Sequence, residues 1–212
     1  MKAVILADGQ FPTKESLLKE LKEAEFLVVC DGAITYLDEL NIKPNFIVGD
    51  LDSISNELKE KYSSKLVHIA EQMSNDLSKA FHYALFLGYK EFTILGATGK
   101  REDHALANIS LLSVYHKKCD FVIMKDDYGE FTIHTTPFTM DCAKGEQISI
   151  FSLNPSAKLT SKGLMYPLKQ LSLPIWANGT LNEALGDSFS LESNEESEII
   201  IYKSPAKSAL IF

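Results

Sequence analysis

The chain is expected to form an α/β unit built on a mostly parallel six-stranded sheet, followed by an all-β unit, and three observations point there. In residues 1–125, short β-rich apolar runs alternate with amphipathic segments, the pattern of strands joined by helical crossovers. Beyond about residue 125 the pattern changes to period-two runs separated by turn residues. The 212 residues are 45% hydrophobic, enough to bury one large core or two small ones.

The six expected strands of the first unit are residues 3–6, 26–30, 46–48, 66–69, 92–95 and 121–124. With helices between them that should cover the sheet, they imply a Rossmann-like arrangement. Between the first two, Leu17, Leu18 and Leu21 share a helix face after Thr13. Leu77, Phe81, Ala84 and Leu85 follow a helical spacing that Gly88 terminates, and residues 103–116 place Ala105, Ile109 and Leu112 on one stripe. In the second unit the expected strands are 131–135, 147–153, 159–168, 188–192, 198–202 and 208–212, a sandwich-like set. The expected division is therefore 1–125 and 126–212.

Composition excludes several functions. Polyanion binding relies on clustered Lys and Arg, whereas this chain carries 21 Lys and Arg against 29 Asp and Glu, a formal net charge of -8. No nucleic-acid partner is expected. No run of about 18 uncharged apolar residues is present, and residues 2–6 enter a strand without a signal-peptide pattern, so a cytoplasmic protein with no membrane partner is expected. Cys30, Cys119 and Cys142 are widely separated and read as reduced core residues rather than disulfides or zinc ligands.

The residues suited to chemistry gather where expected strands end, which is where α/β sheets bind ligands. Asp31-Gly32 follows the second strand, Gly49-Asp50-Leu51-Asp52-Ser53 the third, Asp76 the fourth, and the loop from Gly96 to Asp103 the fifth. In extended backbone, residues two apart point to the same side, so Asp50 and Asp52 would converge on one cation, with magnesium suited to the oxygen donors. The loop Gly96-Ala97-Thr98-Gly99-Lys100-Arg101-Glu102-Asp103 combines glycines, two adjacent cations and a helix amino terminus, a cradle for phosphate. It is not a Walker A loop, and no G-x-G-x-x-G follows a strand. His68, His82, His116 and His134 lack the partners that nucleophilic catalysis requires, and His104, beside Asp103 where a base could stand, reads as a hydrogen-bonded packing residue and is assigned no role.

Taken in order, Gly49-Asp50-Leu51-Asp52-Ser53, Asp76-Leu77, Gly-x-x-Gly-Lys-Arg-x-Asp-His with Asn108, the segment from Ser161 to Leu168, and Gly179-Thr180-Leu181-Asn182-Glu183 resemble the thiamine pyrophosphokinase family. The resemblance implies transfer of the terminal diphosphate of ATP to the hydroxyl of thiamine, giving thiamine diphosphate and AMP with Mg2+ as cofactor. It implies Asp50, Asp52, Asp76 and Asp103 as metal ligands, with these and Arg101 carrying catalysis. Asp31, Gly32, Gly96, Thr98, Gly99, Lys100 and Arg101 would line the nucleotide site, making residues 1–125 the ATP and magnesium domain. Gln72, Asp76, Trp176, Thr180 and Asn182 would contact thiamine, with 126–212 the thiamine-binding domain and a homodimer placing the site at the subunit interface. For Trp176, an aromatic face attracts the thiazolium cation by about 0.5–2 kcal/mol. The chain departs from the family pattern at Leu181, Met73 and Asn75, which leaves open another hydroxymethyl heterocycle such as a pterin as acceptor. A nucleotide or thiamine sensor without turnover is the non-enzymatic alternative.

Overall fold

The structure is a computed structural model describing residues 1–206, so the strand expected at 208–212 lies outside the described residues. The chain divides into two compact units, Met1–Asp127 and Tyr128–Phe212.

The first unit alternates strands and helices in the order β1 (Lys2–Leu6), α1 (Glu15–Lys22), β2 (Leu27–Cys30), α2 (Ile34–Glu39), β3 (Phe46–Gly49), α3 (Asn56–Lys61), β4 (Leu66–His68), α4 (Asp76–Phe86), β5 (Glu91–Leu95), α5 (Glu102–His116) and β6 (Phe121–Lys125). Adjacent strands pair in parallel in the order β6-β5-β1-β2-β3-β4, with Ile5 opposite both Val28 and Ile94. Parallel pairing brings every carboxyl end to one edge.

The two sheet faces bury different side chains because strand residues alternate. Val4, Leu6, Leu27, Val29, Ile47 and Leu95 pack with Leu17, Leu21, Ile34 and Leu37 of α1 and α2 in one core. On α4, Leu77, Ala80, Phe81 and Ala84 are buried. The Phe81 ring lies 4.5 Å from Phe92 of β5 and stacks at 3.8 Å on Tyr115 of α5. The buried stripe of α5 is Ala105, Asn108, Leu112 and Tyr115; Ile109, expected on it, is half-buried. Helix ends follow local chemistry. Ser55 caps α3 by accepting from Leu58 N–H, and Asn75 caps α4 by accepting from Ser78 N–H at 3.0 Å. After α4, Gly88 takes φ +93°, which a residue without Cβ adopts readily. The amino end of α1 is held from afar, since Thr13 N–H, Lys14 N–H and the Thr13 hydroxyl all donate to the Asp127 carboxylate at 2.8–2.9 Å.

The second unit is β-rich: β7 (Glu130–Thr135), β8 (Phe138–Asp141), β9 (Gln147–Ser152), β10 (Lys158–Lys162), β11 (Leu171–Ser172), β12 (Asn182–Glu183), β13 (Ser188–Ser193) and β14 (Glu198–Ser204). Antiparallel ladders link β12-β9-β14-β7 and, separately, β11-β10-β13-β8. Ile148, Ile150, Ile199 and Ile201 of the first set share a core with Leu159, Phe189 and Leu191 of the second. The single run expected over 159–168 breaks after Lys162. Gly163 takes φ +80°, and a Cβ there would lie 2.5 Å from the Ser188 carbonyl oxygen. The chain resumes only as a bridge between Leu164 and Ala184. The strands β8, β11 and β12 were not expected from the periodicity. Among the described residues, no helix is long and apolar enough to cross a membrane. Cys30, Cys119 and Cys142 are free thiols.

Candidate active site at the carboxyl edge of the first unit

A cavity of about 450 Å3 opens at the carboxyl edge of the parallel strands. Its wall takes Ala7, Asp8 and Gly9 after β1, Cys30 at the end of β2 and Asp31 after it, Asp50 and Ser53 after β3, Gln72 to Leu77 except Met73 before and into α4, and Ala97, Thr98, Lys100 and Arg101 after β5. Lys79, His104 and Asn108 complete it from α4 and α5.

Three carboxylates meet here. Asp31, Asp50 and Asp76 each offer an oxygen, and the three oxygens lie within 4.8 Å of one another. Asp31 is buried; its Oδ1 accepts from Gly32 N–H at 2.6 Å, and its Oδ2 is buried without a hydrogen-bond partner. Burial first, then the negative charge of Asp76, push the Asp31 carboxyl up to about 6. Gly49 permits this approach, because a Cβ there would lie 2.9 Å from the Asp31 side chain. Asp50 stays below the usual carboxylate range, chiefly because Gln72 Nε2 donates to its Oδ2 at 3.0 Å. An orphaned buried oxygen among carboxylate donors fits a hard divalent cation, and magnesium needs only such oxygens together with water and phosphate. Among the described residues, Asp31, Asp50 and Asp76 form a cluster that could hold it.

This differs from the expected ligand set in a specific way. Convergence of Asp50 and Asp52 assumed extended backbone, but Leu51 between them has φ +67°, so the alternation fails. Asp52 is exposed; its backbone N–H donates to Asp50 Oδ1 at 3.3 Å, and its own carboxylate accepts from Ser53 Oγ at 3.0 Å. Asp103 also stands apart, gripped by Arg101 through contacts of 3.1 and 2.6 Å that hold its carboxyl at about 2. Asp31, expected beside the nucleotide, clusters with Asp50 and Asp76, whereas Asp52 and Asp103 lie outside that cluster.

The loop after β5 is shaped by glycines. Gly96 and Gly99 take φ +65° and +87°, and Gly9 packs so closely that a Cβ would fall 2.4 Å from the Gly96 carbonyl oxygen. Gly9 N–H donates to Gly96 C=O at 2.5 Å and Gln10 N–H to Thr98 C=O at 2.7 Å, tying the loops after β1 and β5 together. Lys100 Nζ donates to Asp8 Oδ1 at 2.9 Å and lies 5.1 Å from the centre of the Tyr36 ring. Gly32 lies against Asp8, where a Cβ would meet Oδ2 at 2.5 Å. Asn108, equivocal in sequence, is buried; it donates to the Ala97 carbonyl at 2.7 Å and accepts from Asn75 Nδ2 at 2.8 Å, bracing the loop against the α4 cap.

Sequence reasoning missed Asp8, Gly9 and Lys79. Asp8-Gly9 lies one residue past β1, so the strand-end rule already applied to the other strands would have found it. Lys79 sits three residues after Asp76 on α4, one helical turn along, and its Nζ lies 3.0 Å from Asp76 Oδ1.

In the second unit, Trp176 is half-buried and leans on Phe151 with ring centres 5.4 Å apart at 52°. Thr180 is exposed, with its hydroxyl donating to the Ala177 carbonyl at 3.1 Å. Asn182, expected against substrate, is buried and serves its own unit: Oδ1 accepts from Tyr166 N–H at 3.0 Å and Glu183 N–H at 2.9 Å, and Nδ2 donates to Tyr166 C=O at 2.7 Å. Leu181 takes φ +58° and is 60% exposed.

Comparison with known proteins places these features in a family. Residues 17–123 match the thiamin pyrophosphokinase catalytic domain and residues 129–202 the thiamin pyrophosphokinase substrate-binding domain. The chain is 32% identical over 152 residues to thiamine pyrophosphokinase of Bacillus subtilis (strain 168), covering 68% of this chain and 70% of that protein. It is 28% identical over 149 residues to thiamine pyrophosphokinase 1 of Oryza sativa subsp. japonica, covering 63% of this chain, and it spans only 56% of that relative's length. The crystal structure of thiamine pyrophosphokinase from Bacillus subtilis superposes with a TM-score of 0.80 at 24% identity, covering 96% of this chain and 99% of that one, which is a likeness of fold. With both domain families matched in order along its length, the chain belongs to the thiamin pyrophosphokinase family.

Proposed function

We propose that this protein is an ATP:thiamine diphosphotransferase that transfers the terminal diphosphate of ATP to the hydroxyl of thiamine, forming thiamine diphosphate and AMP. The observation that carries the proposal is the meeting of Asp31, Asp50 and Asp76 in a cavity that Lys100 and Arg101 also line. A magnesium ion held by the carboxylates would neutralise charge on the diphosphate oxygens as the β-phosphorus is attacked. Lys100 and Arg101 supply positive charge at the same wall, and release of Lys100 from Asp8 or Arg101 from Asp103 would free them for phosphate. Gln72 keeps Asp50 ionised and oriented. Asp52 and Asp103 lie outside the cluster of three carboxylates and would be ligands only of a metal ion that arrives with the nucleotide.

In this reading the first unit, Rossmann-like in design, binds ATP and magnesium, and the second, a β-sandwich, recognises thiamine with Trp176. Exposed Met165, Tyr166, Ile175 and Leu181 in the second unit support a homodimer, and the reading extends to a cytoplasmic enzyme. Membership of the family favours thiamine over a pterin as acceptor, and retention of both cations beside the carboxylates favours turnover over sensing. Incubation with ATP, magnesium and a panel of thiamine and hydroxymethylpterin acceptors tests the proposal. AMP and thiamine diphosphate should form together with thiamine alone. Folded protein that binds thiamine and ATP without releasing AMP would identify a sensor instead.

A further inference from the structure

Lys79 has no role in the chemistry above, yet its placement is exceptional. Among the described residues, Asp31 and Lys79 are the charged side chains that are buried, at 3% and 4% exposure, and both line the same cavity. Burying an ammonium costs several kcal/mol unless nearby charge offsets it, and an apolar side chain of similar length would pack in α4 without that cost. The offset comes from Asp76, whose Oδ1 lies 3.0 Å from Nζ, and from the negative charges of Asp50 and Glu71.

We propose that Lys79 is a positioning residue that sets the charge of the metal site: it anchors Asp76 toward Asp31 and Asp50 and cancels one of their three charges, tuning the cluster to a single divalent cation. The inference deepens the magnesium reading and rests on it. Three ionised carboxylates and one ammonium carry a formal charge of -2, which one divalent ion neutralises. Without the ammonium the formal charge is -3, matched to a trivalent ion. Because Lys79 is shielded from water, its repulsion of an incoming cation is weakly screened and grows in proportion to that cation's charge. It therefore opposes a trivalent ion more strongly than a divalent one.

Binding of Mn2+, followed by electron paramagnetic resonance, and of Tb3+, followed by luminescence, tests this on the full, nucleotide-free chain. Lys79→Met should bind Mn2+ about tenfold and Tb3+ about thirtyfold more tightly than wild type, because the removed repulsion scales with ion charge. Lys79→Arg should return both affinities to near wild type. Circular dichroism and melting establish that each variant is folded, and if Lys79→Met is not, Lys79→Gln supplies the same comparison while retaining a donor to Asp76. Equal weakening of both ions in the neutral variants would show that Lys79 only positions Asp76, and unchanged affinities would show no influence at all; either result overturns the proposal. Absence of Mn2+ binding to wild type, in contrast, would overturn the metal reading itself.

Discussion

Asp31 shows how one side chain acquires chemistry from its surroundings. Its carboxyl reaches about 6 because it is buried and faces Asp76, whereas the same group in an unfolded chain titrates near 3.8. A carboxyl raised in the folded state favours folding while protonated, so its contribution is present below about pH 4 and is lost as pH rises through about 6. With the cation-free protein, ionising Asp31 should cost about 1–3 kcal/mol between pH 4 and pH 7. Urea unfolding of wild type and Asp31→Asn at both pH values checks this, since the variant should lack that part of the slope. At Asp50 the sequence showed a carboxylate after a strand, but the left-handed turn at Leu51 that separates it from Asp52 was not visible. Asp50→Asn and Asp76→Asn should each weaken Mn2+ binding by about 1–3 kcal/mol as a charge-assisted ligand is lost. Asp52→Asn should leave binding to the nucleotide-free protein within about threefold, a difference under about 1 kcal/mol. Titration calorimetry distinguishes the three.

At the scale of elements, continuous apolar runs marked the buried strands of the first unit because both of their faces are covered by helices. The helices were legible where apolar residues recur each turn, as in Leu77, Phe81 and Ala84, and obscure where they are short, as in α2 and α3. The anchoring of the segment that leads into α1 could not be read locally, because its acceptor, Asp127, is more than a hundred residues away. Asp127→Ala removes that charged acceptor and should cost about 1–3 kcal/mol of stability, measurable by urea denaturation. In the second unit the expected run over 159–168 failed at Gly163, whose positive φ turns the chain where a side chain would meet Ser188. A glycine in an alternating pattern marks either a weak strand position or a turn, and the neighbouring strand decides which.

Across the whole molecule, folding and cation binding are linked. Bringing Asp31, Asp50 and Asp76 within 4.8 Å is unfavourable without a counterion, so magnesium that binds the folded state should stabilise it. At about a hundred times its Kd, magnesium should add about 2.7 kcal/mol to the unfolding free energy. Thermal or urea unfolding with magnesium and with chelator checks the shift, and chelation should also stop AMP release. The net charge of -8 makes the few cations at the cavity decisive for phosphate, since the remaining surface repels it.

The sequence by itself determined the alternation of strands and helices, the change of pattern near residue 125, and the strand ends where carboxylates and the Gly96 to Asp103 loop lie. These are properties of local periodicity and residue type, carried by neighbours along the chain. Tertiary structure alone decided which carboxylates meet, that Lys79 is buried beside Asp76, that Asn182 braces its own unit, and that Gly9 presses against Gly96. Those outcomes depend on backbone angles at single residues and on packing between segments far apart in sequence, which residue spacing does not encode.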